Sequence, residues 1–164
     1  MDQDGRSEMV EDKAEVEFDV GVQIAPAFVD FVSEDRLRAA ARVVLHHESR
    51  TGELAVVLTD DEGIRSLNRD FLDVDAPTDV LAFPTQGGDG PFVAAPGTGS
   101  YLGDVIISYP RAEAQAREQG HATAQELDLL IVHGVLHLLG YDHATAEERA
   151  AMWACQEAAL DSLW

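Results

Sequence analysis

Cysteine is almost missing from this chain. The single copy, Cys155, can close no disulfide within the molecule, so the fold must rest on its core and its hydrogen bonds. A reducing compartment is expected. The opening MDQDGRSEMVEDK is acidic and has no apolar h-region, so it does not read as a secretory signal, and the expected location is the cytoplasm. No uninterrupted apolar run approaches the ~18 residues of a membrane span, so no membrane partner is expected. Lysine is almost missing too. Lys13 is its only copy, and the other ten of the 11 basic residues are arginine, against 31 acids and a net charge of −20. A charge of that sign argues against a general polyanion binder, because phosphates are usually met by basic patches. The acid is not confined to a tail: residues 1–35 are strongly acidic, and so is the remainder.

What is present suits one domain. The length of 164 residues and an apolar content of 46% are enough for a core. Residues 1–13 are polar and without period, which predicts a mobile acidic tail ahead of a single domain over 14–164. EVEFDVGVQI (15–24) alternates strictly and predicts a half-buried strand. Ser33 is a natural N-cap for a helix over 33–49, with Leu37, Ala40, Ala41, Val44 and Leu45 as its buried stripe. His46 and His47 fall in its last turn as polar residues suited to the dipole, and Thr51-Gly52 is expected to break it. A strand at 53–59, a helix capped by Asp60 and carrying Ile64, Leu67 and Phe71, and strands at 79–84 and 104–109 follow. The glycine- and proline-rich segment 85–100 reads as a long loop, and Pro110 as the stop of the strand before it. A surface helix over 111–120 ends at Gly120. Capping boxes at Thr123–Glu126 and Thr145–Glu148 start two more helices. The first, near 124–139, is apolar nearly all round and is expected at the centre. The second packs with Met152, Trp153, Cys155, Ala159 and Leu160. The order βα, βα, ββ, ααα is that of an α+β domain with about four strands.

The central helix carries the chemistry. HGVLHLLGYDH (133–143) places three histidines at H-x3-H-x5-H. His133 and His137 are one helical turn apart on one face. Gly140 lets the chain turn back, so His143 can reach the same point. Three imidazoles leave a fourth tetrahedral position open, as in catalytic zinc sites. Water in such a position has its pKa lowered to roughly 7 and becomes a nucleophile at neutral pH. Asp142 is placed to orient a ligand imidazole. Taken as core residues, three polar rings without a shared partner would each cost a few kcal/mol. The absence of a nearby cysteine makes a closed structural site the poorer reading. The spacing also matches the long zinc motif of metzincin peptidases, but those enzymes carry Glu directly after the first histidine as general base, and here that position is Gly134. The site reads as a metal–water hydrolase with some other substrate.

HGVLHLLGYDH closely resembles the signature of the YbeY family, metal-dependent endoribonucleases also called rRNA maturation factors. LNRDFL (67–72), PTDVLAFP (77–84) and GDVIIS (103–108) fall in that family's order, and the resemblance covers roughly residues 50–160. It implies a mixed four-stranded sheet surrounded by about five helices, with one Zn2+ held by His133, His137 and His143 at the end of the central helix. It also implies single-strand cleavage in rRNA maturation at the 3′ end of small-subunit rRNA, ribosome quality control, and the small subunit as partner. Two positions depart from the pattern. The family often reads L-N-x-x-Y-R, with an arginine associated with RNA; here that position is Leu72, while Arg69, three residues earlier on the same face, is the candidate to contact RNA. Ala82 stands where the family has serine. Thr78 and Asp79 match and read as a turn hydroxyl and a strand-start carboxylate. A second reading is a metal-stabilised factor that docks on the ribosome or on basic assembly proteins and cleaves little, which the acidic charge favours.

Overall fold

The computed structural model describes residues 18–85 and 101–164. The expected tail, the first residues of the expected strand at 15–24 and nearly all of the expected loop at 85–100 lie outside them. Four strands form one sheet: β1 (Phe18–Ile24), β2 (Gly52–Thr59), β3 (Val80–Pro84) and β4 (Tyr101–Ser108). Among the described residues five α-helices accompany them: α1 (Glu34–His47), α2 (Asp61–Leu72), α3 (Tyr109–Gln119), α4 (Thr123–Leu138) and α5 (Ala146–Leu163). The strand order is β1-β2-β4-β3. β1, β2 and β4 run parallel, and β3 pairs antiparallel with β4 at the sheet edge. This is the expected mixed α+β domain.

Side-chain alternation explains the layers. In β2, Leu54, Val56 and Leu58 point to one face and are buried. They meet Val105 and Ile107 of β4, the stripe of α1, and Ile131, Val132, Val135 and Leu136 of α4. Met152, Ala159 and Leu160 of α5 close the same core. On the other face Ile106 and Phe83 pack with Ile64 of α2. Because Leu81 and Phe83 face α2, the alternate residues Val80, Ala82 and Pro84 turn towards α4, where the histidines lie.

Several helix ends differ from expectation. Ser33 does cap α1, accepting from the Arg36 N–H at 3.2 Å. The helix stops at His47, with Ser49 in the left-handed region (φ 53°), before Thr51-Gly52 is reached. Tyr109, expected in the strand, opens α3, and Pro110 sits in the first turn of that helix, where its missing N–H costs nothing. α4 starts one residue early with Ala122 as N-cap, so the box expected at Thr123–Glu126 does not form; Ala122 has no side-chain acceptor, and one half of a box stands there instead, Gln125 Oε1 accepting the Ala122 N–H at 3.3 Å. The second box is complete, with Glu148 N–H donating to Thr145 Oγ1 at 3.0 Å and Thr145 N–H to Glu148 Oε1 at 3.1 Å.

Candidate metal centre and cleft

α4 lies directly on the sheet, and Gly134 makes that approach possible. A Cβ there would stand 2.6 Å from Cγ1 of the buried Val105. The close approach brings the His133 and His137 face of α4 against the open edge of β3. Between them lies a cleft of ≈ 430 Å³ lined by Asp79, Val80, Leu81, Ala82 and Pro84 on one side and by the three histidines and Gly134 on the other.

α4 ends in a Schellman turn. Gly140 N–H donates to His137 O at 3.0 Å and Tyr141 N–H to Leu136 O at 3.1 Å, with Gly140 at φ 105°. The turn is tied down beyond the helix. Tyr141 Oη donates to Glu48 Oε1 at 2.7 Å and accepts from Cys155 Sγ at 3.2 Å. These bonds hold the Tyr141 hydroxyl protonated, well above its ordinary range. His143 therefore returns to the other two histidines. Its ring centroid is 5.1 Å from that of His137 and 5.8 Å from that of His133. The three candidate ligand nitrogens lie within 4.8 Å of one another.

The donor set suits a metal ion. His133 Nε2 and His137 Nε2 are 3.2 Å apart. Two nitrogens sharing a tetrahedral ion at ~2.0–2.1 Å would be ~3.3 Å apart, the edge of that tetrahedron. His133 Nδ1 lies 3.1 Å from Oε1 of Gln156, so that nitrogen carries the proton and Nε2 presents a lone pair to the shared point. Burial, first of all, lowers the pKa of both rings, and for His137 the neighbouring histidines lower it further. Neutral imidazole is the form a metal requires.

These shifts have a consequence for the metal-free protein. A basic group whose pKa is lower when folded takes up protons more readily when unfolded, so stability is present above the ordinary histidine value and is lost as pH falls through the folded values. The chelated protein should show a falling urea midpoint from about pH 7.5 to about pH 5.5, around the ordinary value of ~6.5. The double variant His133→Gln/His137→Gln should give a flatter profile over the same interval, and parallel profiles would refute the assignment.

The other expected residues fall differently. Asp142 orients no ring. Its Oδ1 accepts the backbone N–H of His143 at 2.7 Å and fixes where that residue leaves the turn. Arg69 is half-exposed in the last turn of α2, with Nε 3.0 Å from Asp70 Oδ1, and is not among the residues lining the cleft. Leu72 is exposed. Asp79 acts at the strand start as expected, accepting from the Val80 N–H at 2.7 Å and from Thr78 Oγ1 at 3.4 Å, yet it also lines the cleft. His47 Nε2 is 2.9 Å from Ser162 Oγ, away from the site. Two residues of α5 that sequence reasoning missed face the histidines. Gln156 is one. The other is Trp153, expected to pack in the core but 44% exposed, with its ring centroid 6.0 Å from that of His133 and 6.2 Å from that of His143. Their only signal is a spacing of three, off the Met152–Ala159 stripe.

The model of the family described as endoribonuclease YbeY matches residues 26–164. An endoribonuclease YbeY from Chloroflexus aurantiacus is 46% identical over 144 residues, spanning 87% of this chain and 89% of the relative. Another from Moorella thermoacetica is 48% identical over 136 residues, spanning 79% and 87%. The solution structure of TM1509 from Thermotoga maritima shares the fold with a TM-score of 0.59 at 24% identity, over 88% of this chain and 89% of that one.

Proposed function

This chain belongs to the endoribonuclease YbeY family, and from that premise we propose that it is a zinc-dependent, single-strand-specific endoribonuclease of the cytoplasm. Its substrate is rRNA, at the 3′ end of the small-subunit species, and its working partner is the small ribosomal subunit, in maturation and in quality control. His133, His137 and His143 are the metal ligands. The observation that carries this reading is the meeting of three imidazole nitrogens within 4.8 Å on the wall of an open cleft. When bound, the ion supplies Lewis acidity towards a phosphoryl oxygen and lowers the pKa of water. The chain's own residues do the rest. Gln156 fixes the tautomer of His133, Asp142 and Tyr141 hold the turn that presents His143, and β3 forms the opposite wall of the cleft.

The fold adds what is needed for access. Among the described residues no helix is long and apolar enough to cross a membrane. The cleft opens between the edge strand β3 and the C-terminal half of α4.

The test is cleavage of a precursor small-subunit rRNA fragment, at low salt so that phosphate contacts are not screened. Zinc-loaded protein should cut the single-stranded region and spare a matched duplex, and chelation should stop it. The docking-factor reading keeps one observation in its favour: Arg36, Arg38, Arg65, Arg69 and Arg111 are each paired with a carboxylate. Stoichiometric zinc without cleavage of any RNA would decide for it.

A further inference from the structure

Among the described residues no lysine or arginine lines the cleft, and one aspartate, Asp79, does. The chain as a whole carries −20. A nucleic acid strand held at this site therefore gains little from phosphate neutralisation, the usual source of its affinity. Some other contact must hold it. The structure offers one. Trp153 stands on α5 at the rim of the histidine cluster, edge-on to His133 and His143, with interplanar angles of 83° and 79°. The indole plane is thus nearly perpendicular to both imidazole rings, and the residue is 44% exposed. A tryptophan serving the core would be buried, as Met152 beside it is.

Resting on the RNA-cleaving reading above, we propose that Trp153 is a stacking platform for an unpaired nucleobase next to the scissile phosphate, and a principal source of this protein's affinity for single-stranded RNA. Successive phosphates of a stacked strand are ~3.4 Å apart along its axis. Ring centres about 6 Å from the histidines therefore place the stacked base within one or two nucleotides of the bond that would be cut. Stacking tolerates any base, since each has a π-face, and it requires the base to be out of a duplex. It thus supplies single-strand selectivity without positive charge. Gln156, one turn further along α5, holds His133, so the two residues join base binding and the metal site on one helix face.

The experiment uses full-length, zinc-loaded protein and short single-stranded oligoribonucleotides. Wild type is compared with Trp153→Ala, Trp153→Leu and Trp153→Phe. Aromatic–base stacking is worth ~10–100-fold per base when removed. KM should rise by that factor in the alanine and leucine variants with kcat nearly unchanged, while phenylalanine keeps most of the affinity. An abasic nucleotide moved along the oligomer should weaken wild-type binding at one position, and Trp153→Ala should erase that dependence. Tryptophan emission should be quenched by the oligomer in wild type, and the quench should be lost in Trp153→Phe, with Trp164 as constant background. Zinc affinity, read by chelator competition, should stay unchanged in all three variants. An unchanged KM in Trp153→Ala with wild-type cleavage intact overturns the stacking role and leaves the nuclease reading standing. Failure of wild type to bind or cut any RNA overturns both. A parallel loss of zinc affinity would show that the indole supports the histidines instead.

Discussion

Zinc-dependent cleavage is expected to disappear in His137→Ala, and zinc affinity is expected to fall by orders of magnitude. His137 is the middle histidine of the cluster, 3.2 Å from His133 by Nε2 and with its ring next to that of His143. Without it two rings remain, with centroids 5.8 Å apart, and among the described residues the cluster has no fourth candidate ligand to take its place. Structural zinc sites bind with ~10–16 kcal/mol over four ligands, which is ~3 kcal/mol for one, or about two orders of magnitude in affinity. The fold should survive. His137 is half-buried at the cleft wall, and the Schellman bonds after it are backbone to backbone. Thermal melts then separate the effects. At zinc a hundredfold above its dissociation constant, wild type should gain about 2.7 kcal/mol, or roughly 5–10 °C. His137→Ala, with zinc then near its own dissociation constant, should gain only about 0.4 kcal/mol, or roughly 1–2 °C, while its metal-free melting temperature stays near that of metal-free wild type. In the metal-free protein the cost is one side-chain hydrogen bond, between His137 Nε2 and His133 Nε2 at 3.2 Å, and the packing of a half-buried ring, about 1 kcal/mol. A zinc-induced shift of wild-type size in the variant would refute the ligand assignment.

The site was legible in the sequence where local geometry decides it. His133 and His137 share a face because a helix repeats every ~3.6 residues, and a glycine after the helix predicts a turn. The sheet is legible from the strict alternation over 15–24, which contains β1, and from the glycines and prolines that punctuate the other strands. Contacts between elements were not legible. Nothing local tells that α5 folds back so that Gln156 meets His133, or that Trp153 lands beside the cluster and not in the core. The surroundings of Arg69 are not legible for a related reason. Helix periodicity places it near position 72, but only packing decides whether that face of α2 looks into the cleft, and Asp70 was close enough to take the guanidinium. The partner of Asp142 is not legible either: a short side chain before a turn residue reaches the backbone N–H, here that of His143. Gly134 reads in the sequence as a missing catalytic glutamate. In the fold it is a packing position, where even a methyl group meets Val105.

The same lesson makes Gly103→Ala the most damaging small substitution expected outside the histidines. GDVIIS draws attention to its polar residues, yet the glycine has the stricter requirement. Gly103 has φ 140°, a conformation that side chains rarely adopt. It lies at the start of the regular β2–β4 register, after a shift between Glu53 and Leu54. A Cβ would stand 2.3 Å from the carbonyl oxygen of Phe83, 2.9 Å from Leu138 Cδ2 and 3.0 Å from Pro84 Cα. Two of these atoms are backbone of β3 and cannot swing away. Overpacking of ~1–3 kcal/mol adds to a backbone penalty of ~1–3 kcal/mol, so a loss of about 3 kcal/mol or more is expected, lowering the melting temperature by roughly 6–12 °C. Gly120→Ala is the control, since its φ is also positive at 75° but nothing lies within 4 Å of its Cβ. It should lose only about 1–2 kcal/mol. The functional signature follows from where the strain goes. β3 is the wall of the cleft facing the histidines, and Pro84 lines it, so the wall must retreat while the ligands on α4 stay in place. Gly103→Ala should therefore keep most of its zinc affinity at a temperature where it is folded, and lose RNA cleavage out of proportion. Equal melting temperatures for Gly103→Ala and Gly120→Ala would show that the conformation, and not the approach of β3, governs the position.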